Sequence, residues 1–151
     1  VGPVARCPKL EDDAMPLTRF DHYSIRTEHL AETEKFYTEV LGLTVGPRPT
    51  FPFPGVWLYH EGVAVVHVVG IDRNDPAGLK DYLGDKAMDS APGTGTIDHI
   101  AFTGRDVAGM RERFRGVGVQ YRDRTVPSMN LEQVFLEDPN GVTIELNFPG
   151  A

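Results

Sequence analysis

Cysteine is nearly missing from this sequence, with Cys7 the only one in 151 residues. One thiol closes no disulfide within the chain, so a reducing cytoplasm is the expected compartment. Long apolar runs are missing as well. The longest, Val63 to Val69, is interrupted by His67 and falls far short of the roughly 20 residues that span a bilayer, so no membrane is expected as partner. No charged-then-apolar segment at the start has the form of a secretory signal. Basic charge is in deficit: 15 Lys and Arg stand against 22 Asp and Glu, a formal net charge of −7. With no basic stripe to track phosphates, nucleic acid is excluded as a partner. What remains is a globular composition, 40% apolar and 25% charged. The length suits one domain, or two half-size units around a shared core.

Residues 1–14 lack periodicity, contain Pro3 and Pro8, and end in Glu11-Asp12-Asp13. They read as an extension ahead of Met15-Pro16, where a single patterned domain over 15–151 opens. Within it the chain repeats itself. Phe20-Asp21-His22 and Ile97-Asp98-His99 each lead into a strand-like stretch, and their histidines lie 99 − 22 = 77 positions apart. The strand-like segments around His67 and Glu145 are offset by 145 − 67 = 78. Two pairs at nearly one offset mark a duplicated unit. In each unit an amphipathic helix follows the first strand. One is expected from about Ala31 to Leu41, stopped by Gly42; the other carries Val107, Met110, Phe114 and Val117, stopped by Gly118.

Extended pieces follow at Leu43-Thr44-Val45 and Val119-Gln120-Tyr121, and then hairpins. The first turns through His60-Glu61-Gly62, the second through Asp138-Pro139-Asn140-Gly141, where Pro fixes φ and Asn-Gly tolerates positive φ. The expected fold is therefore α+β, two tandem βαβββ modules at about 17–70 and 96–148. A Pro- and Gly-rich linker over about 71–95 joins them, with a short helix near Leu79 to Leu83.

His29 and His60 fall at a helix start and a turn and are expected to be exposed. His22, His67 and His99 are read inside strands, flanked by apolar neighbours. By strand alternation His22 shares a face with Ser24, His67 with Val65 and Val69, His99 with Ala101, and Glu145 with Thr143 and Asn147. A lone strand histidine is more often a hydrogen-bonded core residue than a ligand. Four repeat-equivalent positions near one pseudo-twofold axis reverse that balance in favour of a metal site. Two imidazoles and a carboxylate with open positions suit Fe(II), and the same set holds Zn, Mn or Ni. Asp21 and Asp98 adjoin ligands, but strand alternation turns them to the opposite face. The stiff segment Gly46 to Gly55, with Pro47, Pro49, Pro52 and Pro54, reads either as a surface connection or as a rim over a pocket. As a rim, Phe51, Phe53 and Trp57 would meet an apolar or aromatic substrate and Arg48 its anionic group.

The paired Asp-His openings, the Phe36-Tyr37-x-x-Val40-Leu41-Gly42 helix end and Asp138-Pro139-Asn140-Gly141-x-x-Ile144-Glu145 together resemble the vicinal-oxygen-chelate superfamily. Its members include glyoxalase I, methylmalonyl-CoA epimerase, fosfomycin-resistance transferases, extradiol dioxygenases and bleomycin-resistance proteins. The resemblance implies a half-barrel of two modules around one divalent ion held by His22, His99 and Glu145, with a small oxygenated substrate chelated at its open edge.

His67 separates the subfamilies. In an extradiol dioxygenase it is an acid/base histidine beside Fe(II), and this is the favoured reading. Phe135 then takes the place of a tyrosine common in those enzymes, with Tyr23, Tyr59 or Tyr121 as substitutes. In a glyoxalase- or epimerase-like enzyme using Zn, Ni, Co or Mn, His67 is the fourth ligand and Glu145 both ligand and base. A fosfomycin-type transferase shares the two-His, one-Glu set, but no basic cluster for a phosphonate stands out. A metal-free binding protein of the bleomycin-resistance kind would lack the ligand set. Gln133, Tyr59, Tyr121 and Phe135 complete the candidate pocket, and a homodimer is the expected assembly, with the site closed either by the two units of one chain or between partners.

Overall fold

The computed structural model describes residues 19–95 and 97–150. The extension expected over residues 1–14, Cys7 included, lies outside the described residues. The first module runs β1 (Tyr23–Thr27), α1 (Leu30–Lys35), β2 (Thr44–Gly46), β3 (Gly55–His60) and β4 (Val63–Gly70). The linker carries α2 (Ala77–Leu83). The second module runs β5 (Ile100–Thr103), α3 (Val107–Val117), β6 (Arg122–Val126), β7 (Leu131–Glu137) and β8 (Thr143–Pro149). The sheet orders are β1-β4-β3-β2 and β5-β8-β7-β6, so the expected α+β duplication is present, as two four-stranded sheets and no closed barrel.

The ladder registers carry the repeat to the residue. His67 lies opposite Ser24 on β1 and Trp57 on β3; Glu145 lies opposite Ala101 on β5 and Phe135 on β7. The offsets are 101 − 24 = 77, 145 − 67 = 78 and 135 − 57 = 78, the same one-residue slip that the sequence carries.

Local chemistry explains the boundaries. The β3–β4 hairpin turns on Glu61 and Gly62, both at positive φ (47° and 80°), as a two-residue turn of that twist requires. The first helix covers the expected span, but its second half, Phe36–Val40, is a π-helical turn. Thr33 and Thr38 hydroxyls bond back to the His29 and Glu34 carbonyls there and compete with the regular ladder. Helix α3 starts at Asp106, whose carboxylate accepts from the Gly109 amide. It ends in a left-handed Gly118 with Val119 N–H bonded to the Phe114 carbonyl.

That cap displaces the strand expected at Val119-Gln120-Tyr121. Val119 and Tyr121 pack on the core, and β6 begins at Arg122 instead. Arg111 of α3 pins the new register by bridging Asp123 and Glu132 (2.9 and 2.5 Å).

Helices and sheets share one core. Phe36, Tyr37 and Val40 of the first helix and Phe114 of α3 join Val66 and Val68 of β4 and Ile144, Leu146 and Phe148 of β8 in a single buried cluster. The two sheets therefore meet through their helix-bearing sides, and their other faces, with His67 and Glu145, point away from this core.

The Asp138 turn fastens the modules together. Asp138 is buried, and Oδ1 accepts from the amides of Asn140 and Val142 while Oδ2 accepts from the Tyr37 hydroxyl (3.0 Å). Asn140 donates to Thr33 Oγ1 (3.0 Å) and accepts from Thr27 Oγ1. Tyr37, Thr27 and Thr33 are themselves fully buried. Burial and the neighbouring charge push the Tyr37 phenol far above its usual range, so it remains a donor. Asp138→Ala strands two amides and a phenol in a dry site, at about 1–3 kcal/mol for each unsatisfied group. Denaturant unfolding is expected to show a loss of about 3 kcal/mol or more, with Asp138→Asn costing less. A loss no greater than for an exposed Asp, such as Asp85→Ala, would contradict this role.

Candidate metal centre

His22 and His99 stand one residue ahead of β1 and β5, not inside strands as expected. Pleated alternation does not hold there, and this corrects the reading of their aspartates. Asp21 Oδ2 lies 2.6 Å from His22 Nδ1, and Asp98 Oδ2 lies 2.7 Å from His99 Nδ1. The same contact recurs in both modules. An ionised carboxylate only accepts, so Nδ1 carries the proton and the Nε2 lone pair is left to face outward. The Asp21 carboxyl is held below its usual range by the His22 hydrogen bond. Carboxylate–imidazole pairs of this kind orient metal-binding histidines in general.

In the second module His99 Nε2 meets Glu145 Oε2 at 3.0 Å. With Nδ1–H given to Asp98, both atoms are acceptors, and two acceptors at this distance call for a proton or a cation shared between them. An imidazole nitrogen and a carboxylate oxygen are donors that divalent ions take, so the pair would fit such an ion. Glu145 is buried and its other oxygen is taken: Oε1 accepts from Gln133 Nε2 (3.0 Å) and Asn147 Nδ2 (2.8 Å). Gln133 also donates to Asn147 Oδ1 (2.9 Å), which closes the brace. Gln133, expected in the substrate pocket, is thus buried and serves the carboxylate instead.

In the first module the pair is His22 and His67, their rings stacked at 3.7 Å and 15°. Trp57 stacks on the other face of His67 at 3.9 Å and 9°. Burial between these rings, with the second imidazole of His22 beside it to disfavour an added positive charge, holds the His67 imidazole below its ordinary pKa, so it is neutral at pH 7.

Of the expected rim, Phe51 leans on Trp57 (6.5 Å) and on Tyr82 of α2 (5.3 Å), an aromatic that sequence reasoning missed. Phe53 is buried in a second small core with Val69, Ile71, Leu79 and Ala87, not at a rim. Arg48 donates to the Phe53 carbonyl and lies over the Phe51 and Phe53 rings, engaged by its own loop. Phe135 is cross-strand from Glu145 and meets His99 edge-on at 6.5 Å. The three tyrosines read as substitutes for a site hydroxyl are engaged elsewhere. Tyr23 bonds Tyr37, Tyr59 bonds the Pro47 carbonyl, and Tyr121 accepts from Arg115. His29 and His60 are exposed, as expected.

The chain brings together His99 with Glu145 and His22 with His67, and does not bring the two pairs into one cluster. Among the described residues no three His, Cys, Asp or Glu side chains are grouped to hold one ion. The residues expected at one site in the half-barrel thus stand as two separate pairs, one on each module. Cavities of about 520 and 750 Å³ flank the sheets, and none of the four residues lines either.

Residues 19–146 match the profile of the Glyoxalase/Bleomycin resistance protein/Dioxygenase superfamily, and the chain belongs to that family. It is 26% identical over 141 residues to Glyoxylase I 4 of Arabidopsis thaliana, which covers 90% of this chain and 75% of that protein. Two solved structures share the fold. One is a mutant of the fosfomycin resistance protein FosX of Listeria monocytogenes, complexed with Mn(II) and 1S,2S-dihydroxypropylphosphonic acid. It has a TM-score of 0.65 and 14% identity, and the match covers 88% of this chain and 93% of that one. The other is a lactoylglutathione lyase of Agrobacterium tumefaciens, with a TM-score of 0.61 and 18% identity, covering 89% and 96%. Among the described residues no helix is long and apolar enough to cross a membrane.

Two outcomes are expected. Asp98→Ala, which frees the His99 ring, should weaken Mn(II) binding about 10- to 100-fold by calorimetry without unfolding the chain; unchanged affinity would contradict the orienting role. In the metal-free protein His67 should titrate by NMR below the ordinary histidine value, and Trp57→Ala should raise it. Since the folded pKa is the lower one, the unfolded chain takes the proton first. The stability that neutral His67 carries is therefore present above the unfolded value and lost as pH falls through the folded one. A His67 midpoint at or above the ordinary value would contradict it.

Proposed function

We propose that this chain is a divalent-metal isomerase or lyase of the glyoxalase kind, acting without oxygen on a small substrate with two neighbouring oxygen atoms. Its centre forms between two copies of the chain, His22 and His67 from one facing His99 and Glu145 from the other. The observation that carries this reading is the common register of His67 and Glu145. Each lies opposite the strand that follows an Asp-His pair and opposite an aromatic residue of the neighbouring hairpin strand. A residue in the ladder position of the ligand Glu145 is read as a ligand itself, which makes four protein donors. Imidazole and carboxylate donors suit Mn, Zn, Ni or Co, and the related FosX was captured with Mn(II).

The layout supports a homodimer. β1 and β5 are sheet edges, each hydrogen-bonded on one side only, and the two pairs lie beside these edges on the faces turned from the shared core. Pairing β1 of one copy with β5 of another brings complementary half-sites together under a twofold axis.

When bound, the ion supplies Lewis-acid polarisation of the two substrate oxygens. The remaining work falls to side chains of this chain. Gln133 and Asn147 lock Glu145 Oε1, so Oε2 keeps one direction, facing His99 Nε2; once the substrate's oxygens took its place on the ion, Oε2 would move a proton from one of the two neighbouring substrate carbons to the other. Phe135 and Trp57 flank the pairs with apolar surface and exclude water.

The ring-cleaving dioxygenase reading loses support on two counts. Phe135 offers no hydroxyl, and Tyr23, Tyr59 and Tyr121 are engaged elsewhere. Turnover of a hemithioacetal or related 2-oxo compound is expected anaerobically with Mn, Ni, Co or Zn; oxygen uptake with a catechol and Fe(II) would overturn the reading.

Complementation tests the shared centre. His22→Ala/His67→Ala and His99→Ala/Glu145→Ala chains should each bind little Mn(II). Co-expressed, they should recover about a quarter of the wild-type content, from statistical heterodimers with one intact centre of two. No recovery would mean that each chain holds its own ion.

A further inference from the structure

Strand β6 carries Arg122 and Arg124 at alternate positions. Their cross-strand partners on β7 are Phe135 and Gln133, so both arginines share the face of Glu145 and His99. Among the described residues neither makes an ion pair. The Arg122 guanidinium lies over the Phe135 ring, 4.7 Å from its centre, and the edge of His99 meets the same ring. A guanidinium laid over a ring keeps its N–H edge outward in the fork that fits a carboxylate or phosphonate. One phenyl ring thus separates an exposed cation from the His99–Glu145 pair. Arg122 also borders, with Phe135, the cavity of about 750 Å³. Arg48, the cation that the sequence pointed to, is by contrast committed to the Phe53 carbonyl.

We infer that Arg122 binds an anionic group on the far end of the substrate, so that the substrate class is a small 2-oxo or 2-hydroxy compound bearing a second, remote carboxylate or phosphonate. Phe135 sets the spacing. β6 and β8 are two strand separations apart, about 10 Å between backbones. The Arg122 side chain reaches inward over part of that gap. A molecule of three to five backbone atoms therefore suits, with chelating oxygens at one end and the anion at the other. Arg124 lies two residues along β6, opposite Gln133, so it would meet only an anion angled along the strand. This inference rests on the metal-centre reading, since the chelating end is assigned to His99 and Glu145.

The test compares two probes that are identical at the chelating end. 2-Oxoglutarate carries a remote carboxylate; 2-oxoglutaramate carries a neutral amide there. Calorimetry on the Mn(II)-loaded full chain is expected to show 2-oxoglutarate binding at least about tenfold tighter, as a charge-assisted bidentate contact implies. Arg122→Gln should abolish the preference while Mn(II) affinity stays within about twofold, and Arg122→Lys should keep part of it. Equal affinity of the two probes for the wild-type chain, or a preference that survives Arg122→Gln, would overturn the inference alone. Failure of the wild-type chain to take up Mn(II) would overturn the metal-centre reading and this inference with it.

Discussion

The buried carboxylate of Asp138 is the interaction on which the arrangement of the two modules depends. It closes its own hairpin turn by accepting two amides and accepts the phenol of Tyr37 from the other module. Asn140, two residues later in the same turn, reaches Thr33 and Thr27 of that other module. A charge in an apolar setting is tolerated only where its lone pairs are filled, and here every filling group comes from a defined place in the fold. The network holds the modules helix side to helix side. Once that is fixed, the opposite sheet faces, and every residue of the candidate centre, must look outward.

That constraint also explains how two chemically different residue pairs arise from a repeat. Both modules open with an Asp-His pair, and both set a residue from the last strand beside it. In the second module that residue is Glu145, braced by Gln133 and Asn147. The first module has Gly55 and Val69 at the matching positions and cannot form such a brace; it holds His67 by stacking between Trp57 and His22 instead. Polar bracing suits a carboxylate that must keep one oxygen aimed, and ring stacking suits an imidazole that must remain neutral. The repeat thus carries the geometry into both modules, and the differing supporting positions make the two pairs chemically unlike.

Much of this was legible in the sequence. The offsets of 77 and 78 marked the duplication and its one-residue slip, and the helices and hairpins follow the apolar periodicity and the turn residues. What was not legible depended on partners distant in the chain or on where a strand truly begins. Asp138-Pro139-Asn140-Gly141 reads as a turn, but its bonds to Tyr37 and Asn140's to Thr33 span 101 and 107 residues. Asp21 and Asp98 were assigned to the wrong face because alternation was carried one residue too far toward the N-terminal side of each strand. β6 was placed too early because Val119 and Tyr121 look like strand residues, whereas the helix cap and the core claim them. That the two pairs stay apart within one chain was not legible either, because nothing in a pattern of residues specifies which sides of two sheets come together.

The most direct measurement of the central claim, that a complete centre requires two copies, is native mass spectrometry of the Mn(II)-loaded protein diluted across its dimer dissociation range. The account expects dimers carrying two ions and monomers carrying none. Metal-loaded monomers with one ion per chain would contradict it.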